Sequence, residues 1–261
     1  MAGTTVDIKE LLSAGAHFGH KTSRWHPKMA PFIHSKRNGS HIIDLTKTVD
    51  CLEDALAFLT KTTAAGKQVL LVSTKRQAAD AVKEVAEATK MPYVVNRWLG
   101  GMMTNQKTIS GRIKHLKNLE ERMASGELAA KYNKLEVQRF QEEIDAMNVL
   151  YGGIKNMAAK VGAVFVVDVL NDKNAVAEAR VLGIPVVAIV DTNVDPTGID
   201  YPIPANDDAA KAVKLILDYV QAAIAEGQGT AAKAAPAPDK DEAPAEKAAP
   251  KTESKEVKGN G

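Results

Sequence analysis

One segment of this chain gathers cations and aromatic rings with no acid among them. It runs from His17 to His41 and reads HFGHKTSRWHPKMAPFIHSKRNGSH. Five of the six histidines lie in it, and no Asp or Glu occurs between Glu10 and Asp44. Such a segment attracts anions, and its rings offer surfaces on which unpaired bases can stack. The chemistry that it predicts is therefore contact with a polyanion.

The cations of this segment can each neutralise a phosphate, and its rings can stack on bases or ribose. The cations are Lys21, Arg24, Lys28, Lys36 and Arg37, and the rings are those of Trp25, His26 and Phe32. Pro, Gly and Ser residues predict that the segment is largely loop. The alternative is a solvated basic loop whose Trp25 and Phe32 fill gaps in the core, and Trp25 suits both roles.

A second cationic element is the tetrapeptide STKR at residues 73–76, which follows an apolar run and opens a helical pattern. Free amides at a helix N-terminus, together with Lys75 and Arg76, predict a phosphate or anion site. The sequence has no Walker loop and no GxGxxG fingerprint, so it does not predict a nucleotide site of either kind.

A third candidate contact lies in the stretch NRWLGGMMTN at residues 96–105. Arg97 and Trp98 end a predicted strand and precede paired glycines, which allow close backbone approach. These two side chains either face a partner, or Trp98 and the two methionines seal the base of the helical segment that follows. Of the two, Arg97 is the stronger candidate contact.

The clustered histidines also allow a metal site. His17 and His20 could both approach one ion if the backbone between them is helical. Asp191 at a strand end and Asp207 at a helix start are predicted at the carboxyl edge of a sheet, where ligands gather in such folds. Imidazole and carboxylate ligands suit zinc or a harder ion such as magnesium. The predicted ligands are His17, Asp191 and Asp207. The sequence has no Cys ligands at this site and no HExxH motif, so it does not require a metal cofactor.

The fold class follows from apolar runs of strand length that alternate with amphipathic helical patterns. Continuous apolar strands are typical of a parallel sheet covered on both faces. Right-handed crossovers then predict an α/β, doubly wound, flavodoxin-like sheet. The predicted strands are 41–45, 68–73, 92–96, 163–169, 186–191 and 199–203.

Residues 104–151 break this pattern, because they have high charge and no strand signal. Two narrow apolar seams predict an antiparallel coiled-coil hairpin that projects from the sheet, whereas helices lying flat on it would need a wider stripe. Residues 1–103 and 152–226 would then form the flavodoxin-like domain. The tail 227–261, rich in Ala, Pro, Lys and Glu, is predicted to be disordered.

Composition limits the function classes. The net charge is only +2, so contact with nucleic acid must come from patches. One cysteine, Cys51, fits a reducing cytoplasm. The N-terminus has no apolar stretch and no window could span a bilayer, so we expect neither a signal peptide nor a membrane partner. The sequence shows no catalytic constellation, although the residues of an active site can come together from distant positions.

Four stretches of the chain resemble the S2 family of bacterial small-subunit ribosomal proteins, over roughly residues 5–226. They are LLSAGAHFGHKTSRWHPKMAPFI, HIIDLTKT, VNRWLGGMMTN and FVVDVLNDKNAVAEARVLGIPVVAIVDTNVDP. The resemblance implies a cytoplasmic, ribosome-bound protein near the head–body junction of the small subunit. It also implies contacts with small-subunit rRNA and neighbouring ribosomal proteins, and support for docking of the large mRNA-binding protein S1. A member of this family is expected not to be an enzyme and to have no small-molecule substrate.

Carried over by position, the resemblance implies a set of rRNA contacts. They are Lys21, Arg24, Trp25, His26, Lys28, Lys36, Arg37, Lys75, Arg76, Arg97 and Asn105. Two other classes stay open from the residues alone. One is an enzyme that binds a phosphorylated substrate at Lys75 and Arg76 and at the carboxyl edge of the sheet, where Asp191 is predicted. The other is a protein-only adaptor that uses the hairpin as a docking arm.

Overall fold

Helices and strands alternate along most of the chain. The structure, a computed structural model, describes residues 6–234, with side chains through residue 231. The helices are α1 (Ile8–Ala14), α2 (Leu45–Ala64), α3 (Arg76–Thr89), α4 (Gln106–Ala124), α5 (Glu127–Lys131), α6 (Lys134–Tyr151), α7 (Lys173–Val181) and α8 (Ala210–Ala234). The strands are β1 (Phe18–Lys21), β2 (Ile33–Arg37), β3 (Ser40–Ile43), β4 (Val69–Val72), β5 (Tyr93–Val94), β6 (Ala163–Val166), β7 (Val186–Val190) and β8 (Tyr201–Pro204).

The main sheet has five parallel strands in the order β5-β4-β6-β7-β8. In order of appearance within this sheet the strands run 2-1-3-4-5, which is consistent with a flavodoxin-like core. Every residue of β4, β6 and β7 is buried. Strands covered on both faces need apolar side chains at every position, which is why these three read as continuous apolar runs. The α/β prediction with a parallel sheet is confirmed.

Alternate side chains of each strand of the main sheet pack into two separate hydrophobic cores, because successive residues of a strand point to opposite faces. Phe165 on β6 packs with residues of α2, α3 and α8 on one face of the main sheet. Its neighbours Val164 and Val166 pack on the other face with residues of α7 and of the segment before α4. The main sheet is therefore a rigid central layer, and loops at its carboxyl edge are held from both sides.

The segment predicted to be largely loop instead forms a three-stranded antiparallel sheet with the order β1-β3-β2, and a 3-10 helix at Pro27–Phe32 lies between β1 and β2. Asn38 and Gly39 connect β2 to β3 with φ angles of 50° and 77°. An Asn-Gly pair favours this two-residue hairpin because both residues adopt positive φ at low cost. The signal was present in the sequence, but the number of Pro, Gly and Ser residues outweighed it.

Helices α4 and α6 pack against each other. Their contact is built on Leu116 and Leu119 of α4 and Ile144 of α6, with Phe140 and Met147 at its margin. Asn133 begins α6 with a capping box, because its side chain accepts a hydrogen bond from Glu136 N–H and the Glu136 side chain returns one to Asn133 N–H. The short helix α5 lies in the connection between α4 and α6.

Helix α8 continues through residue 234, so residues 227–234 are helical where the sequence predicted disorder. Tertiary contacts explain the difference. A Cβ at Gly227 would collide with the Thr60 carbonyl oxygen and the Thr63 side chain, so the glycine lets α8 approach α2 closely. Gln228 also donates a hydrogen bond to the Thr89 carbonyl (2.7 Å). The remaining disorder prediction, for residues 235–261, lies outside the described residues.

Candidate nucleic-acid interface

The small sheet of β1, β2 and β3, called the N-terminal sheet below, is fixed to the carboxyl edge of the main sheet. The backbone N–H of His20 donates to Thr192 Oγ1 (2.9 Å), and that of His26 donates to the Thr192 carbonyl (2.7 Å). Gly19 permits this approach, because a Cβ there would lie 2.6 Å from Thr192 Cγ2. The loop after β7 thus sets the position of the N-terminal sheet.

Four predicted rRNA-binding cations are exposed on this sheet and its loops, and within residues 6–234 none of them forms an ion pair. They are Lys21, Arg24, Lys36 and Arg37. Trp25 is 38% exposed, and its ring lies 5.1 Å from that of His41. Trp25 therefore both anchors the segment and presents a face to solvent. Phe32 packs against the core and fills the structural role that the sequence left open for it.

Lys28 differs from these four cations because an acid neutralises it. Its Nζ lies 3.0 Å from Asp195 Oδ2 and 2.7 Å from Thr197 Oγ1. Hydrogen bonds from Thr197, and then from Lys28, hold the pKa of Asp195 well below its usual range. His26 Nε2 lies 4.0 Å from the same carboxylate. Lys28 and His26 therefore have an internal anion that competes with any phosphate.

Lys75, the predicted phosphate ligand, is also held by acids of the chain. Its Nζ lies 2.7 Å from Asp208 Oδ1, 3.0 Å from Asp207 Oδ1 and 3.4 Å from Asp168 Oδ2. Burial alone would lower the pKa of Lys75, but the bonds to Asp208 and the charge of Asp207 raise it above its ordinary value. The adjacent Thr74 N–H donates to Asp172 Oδ2 (3.0 Å). The anion site predicted at the start of α3 is thus filled from within, and Arg76 remains exposed beside it.

Asp168, Asp191, Asp207 and Asp208, called the acidic cluster below, meet at the carboxyl edge of the main sheet. Burial, and then Asp168 and Asp191, raise the pKa of Asp207 to about 6. His20 lies between two of the acids, with Nδ1 3.1 Å from Asp191 Oδ2 and Nε2 3.3 Å from Asp208 Oδ2. The hydrogen bond and charge of Asp191 raise the pKa of His20, although burial opposes them.

His20, and not His17, is the histidine that accompanies the two predicted aspartate ligands. One ligand atom each of His20, Asp191 and Asp207 lies within 4.8 Å of the others. The ring of His17 packs 4.0 Å from that of Phe18, and burial lowers its pKa. The reason is local, because residues 18–21 form a strand and side chains three apart on a strand point to opposite faces. The condition that residues 17–20 be helical is not met.

The third candidate stretch divides into a buried part and an exposed part. Trp98, Met102 and Met103 are buried and seal the base of α4, as one of the two readings predicted. Arg97 is exposed and lines two polar cavities of about 280 and 290 Å³. Asn105 is exposed at the N-cap of α4, where its side chain makes no cap hydrogen bond. Arg97 and Asn105 are therefore available to a partner.

Comparison with known proteins decides the family. Residues 11–227 match the family model described as Ribosomal protein S2. The chain belongs to the ribosomal protein S2 family. The small ribosomal subunit protein uS2 of Novosphingobium aromaticivorans is 48% identical over 234 residues, which cover 90% of this chain and 92% of that protein. The resemblance seen in the sequence is confirmed.

The S2 family is a family of structural ribosomal proteins, so the prediction that the chain is not an enzyme is also confirmed. The site agrees with this, because Lys75, which would bind a phosphorylated substrate, is held by three carboxylates. Within residues 6–234, no helix combines the length and apolar character that a membrane crossing needs. Lys75 and Asp168 are far in sequence from the adjacent Asp207 and Asp208, and no local motif marks them as a group.

Proposed function

We propose that this S2-family chain binds small-subunit rRNA through the exposed cations of the N-terminal sheet, together with Arg76, Arg97 and Asn105. The observation that carries the proposal is the contrast between free and neutralised cations. Lys21, Arg24, Lys36 and Arg37 are exposed and unpaired within the described chain, whereas Lys28 has an acidic partner. Free cations release counterions from RNA when they bind phosphate, and that release supplies affinity. The main sheet holds them in fixed positions, so shape sets the register of binding.

Replacing Lys21, Arg24 and Lys36 together by alanine is expected to weaken binding to small-subunit rRNA about tenfold or more. The slope of log affinity against log salt concentration should fall by roughly 2 to 3, because up to three phosphate contacts are lost. Filter binding at several salt concentrations measures both. The matched control is Lys28→Ala, which should change the slope little because Asp195 already neutralises Lys28. An unchanged slope in the triple variant would rule out these contacts.

The same proposal places the chain on the small subunit in the cytoplasm, near the head–body junction and beside other ribosomal proteins. In this position it supports docking of the large mRNA-binding protein S1, as membership of the family implies. Residues 1–103 and 152–226 act as the flavodoxin-like domain, and residues 104–151 as a projecting antiparallel coiled-coil hairpin. The packing of Leu116 and Leu119 on Ile144 supports the pairing of α4 with α6.

We also propose that the acidic cluster holds a divalent cation, zinc or magnesium, with His20, Asp191 and Asp207 as protein ligands. The residues fit such an ion, since imidazole and carboxylate are donors that zinc accepts. Four carboxylates face one lysine and one histidine, so acidic groups outnumber basic ones there. Asp191 is fully buried, and its Oδ2 lies 3.1 Å from the ring nitrogen Nδ1 of His20. A bound cation would neutralise the charge of the carboxylates, and the side chains of His20, Asp191 and Asp207 would hold it in place.

His20→Ala is expected to abolish stabilisation of the protein by zinc, whereas His17→Ala should retain it. A ligand that binds only the folded state at 100 times its Kd raises the free energy of unfolding by about 2.7 kcal/mol. Thermal melting with and without zinc, at a fixed protein concentration, measures the effect for the wild type and both variants. Equal loss in the two variants, or none in either, would remove His20 from the ligand set.

A further inference from the structure

A single carboxylate organises the loop before α4. Glu178 lies on α7, on the second face of the main sheet, and its two oxygens accept five hydrogen bonds of 2.8–3.1 Å from residues more than seventy positions earlier. The donors are Trp98 Nε1, the backbone N–H groups of Gly101, Met103 and Thr104, and Thr104 Oγ1. One carboxylate has about four lone-pair sites, so five donors use its full acceptor capacity.

The geometry of this loop is that of an anion-binding nest. Converging backbone N–H groups in a turn create a concave site with positive partial charge. Gly101 has a φ of 83°, a left-handed conformation that glycine adopts without strain. Partial burial would raise the pKa of Glu178, but the bonds from Trp98, Met103, Thr104 and Gly101 lower it below its ordinary value. Glu178 therefore stays ionised and occupies the place that a phosphate would take in other nests.

The two residues that flank this nest are the ones exposed toward a partner. Arg97 immediately precedes Trp98, and Asn105 immediately follows Thr104. Helix α4 begins at the next residue, Gln106. The nest amides are taken by Glu178, so RNA can be contacted here only by the flanking side chains and not by the loop amides. The position of Arg97 thus depends on the hydrogen bonds of its neighbour Trp98.

We propose that Glu178 is the positioning residue that fixes Arg97 and Asn105 for rRNA contact; the inference rests on the proposed function. The carboxylate touches no RNA itself. It acts as an internal anion that holds the loop of residues 98–104 in one conformation. Its removal frees the loop, and the flanking cation then contacts phosphate only after the loop has been ordered at an entropic cost.

The first test compares Glu178→Gln with Glu84→Gln in the full chain. Glutamine keeps the size of the side chain but offers one acceptor oxygen and brings two donors of its own to a site that holds only donors. Glu84 is an exposed acid that pairs with Lys214 (3.2 Å), and so controls for the loss of one negative charge. Amide hydrogen exchange at Gly101, Met103 and Thr104 should become at least about tenfold faster in Glu178→Gln only. Unchanged exchange at these amides would overturn the proposal.

The second test is a double-mutant cycle with Arg97→Ala, measured as affinity for small-subunit rRNA. We expect Arg97→Ala and Glu178→Gln each to weaken binding about tenfold, and the double variant to weaken it about tenfold and not a hundredfold. Arg97→Ala should lower the slope of log affinity against log salt concentration by about 1, because one phosphate contact is lost. Glu178→Gln should leave this slope unchanged, because Arg97 still reaches its phosphate once the loop is ordered. Independent, additive losses would show that Glu178 does not act through Arg97. If Arg97→Ala itself binds normally, the Arg97 contact of the proposed function is wrong, and exchange alone decides whether Glu178 holds the loop.

A milder variant keeps the inference testable if Glu178→Gln does not fold. Thr104 is exposed, and Thr104→Val removes one of the five donors while the carboxylate stays in place. It should fold as the wild type does, exchange faster at Met103 and weaken rRNA binding about twofold to threefold. Wild-type exchange together with wild-type affinity in this variant would contradict the proposal.

Discussion

Replacing Lys75 by methionine is expected to lower the free energy of unfolding at neutral pH by about 3–5 kcal/mol, because it leaves buried carboxylates without their cation. The side chain of Lys75 is only 11% exposed, and its three acidic partners all lie within 3.4 Å of Nζ. Methionine matches the lysine stem in volume, so the loss reports on charge and not on a cavity. Urea unfolding at pH 7 measures it.

The effect of Lys75→Met should depend on pH in a defined direction. Because the pKa of Asp207 is about 6, this acid takes up a proton as the pH falls below that value, and part of the repulsion then disappears. The destabilisation should therefore shrink between pH 7 and pH 4. Lys28→Met, which removes a cation from an exposed pair with Asp195, should change the free energy of unfolding little at either pH. A loss that is independent of pH would contradict the role of Lys75 as counterion.

Replacing Asp207 by asparagine is expected to have the opposite sign and to stabilise the metal-free protein at pH 8 by about 1–3 kcal/mol. The pKa of Asp207 lies above its ordinary value, so folding favours the protonated carboxyl. The stability that the protonated Asp207 carboxyl contributes is fully present below about pH 4 and is lost as the pH rises through about 6. Asparagine cannot ionise, so the variant avoids the loss. Its advantage over the wild type should vanish near pH 4.

The same substitution should remove stabilisation by zinc if Asp207 is a ligand. Urea unfolding from pH 4 to pH 8, with and without zinc, separates the two effects. If Asp207 destabilises the metal-free protein and a bound cation offsets that loss, its role is to bind the cation and not to stabilise the fold. Destabilisation by Asp207→Asn at pH 8 without metal would instead show that the bond to Lys75 outweighs the repulsion among the acids.

Much of the fold could be predicted because its signals are local. The runs that became β4, β6 and β7 are apolar throughout, and only strands covered on both faces require that pattern. The N-terminal sheet also has a local signal in Asn38 and Gly39, but the Pro, Gly and Ser residues of the segment predict loop. Residues 227–234 of α8 have no local helix signal, because their helical conformation depends on the contact of Gly227 with α2.

The site could be predicted only in part because its contacts join distant residues. Lys75 reads as a free phosphate ligand in the sequence, yet the acids that hold it lie 93 to 133 positions later. The choice between His17 and His20 depended on whether a short segment was strand or helix. Glu178 lies in an ordinary amphipathic helix, and nothing near it in sequence indicates that a loop eighty positions earlier donates to it. The sequence shows where the cations are, but which of them are neutralised by an acid depends on tertiary contacts.

Lysine footprinting of the assembled small subunit tests rRNA contact by the N-terminal sheet most directly. An amine-reactive reagent is applied to the free chain and to the subunit that contains it, and modification is read at each lysine. Lys21 and Lys36 should react in the free chain and become protected in the subunit, because phosphates cover them. Lys67, exposed just before β4 at the opposite edge of the main sheet, is the internal control. Equal reactivity of Lys21 and Lys36 in both states would contradict the proposed interface.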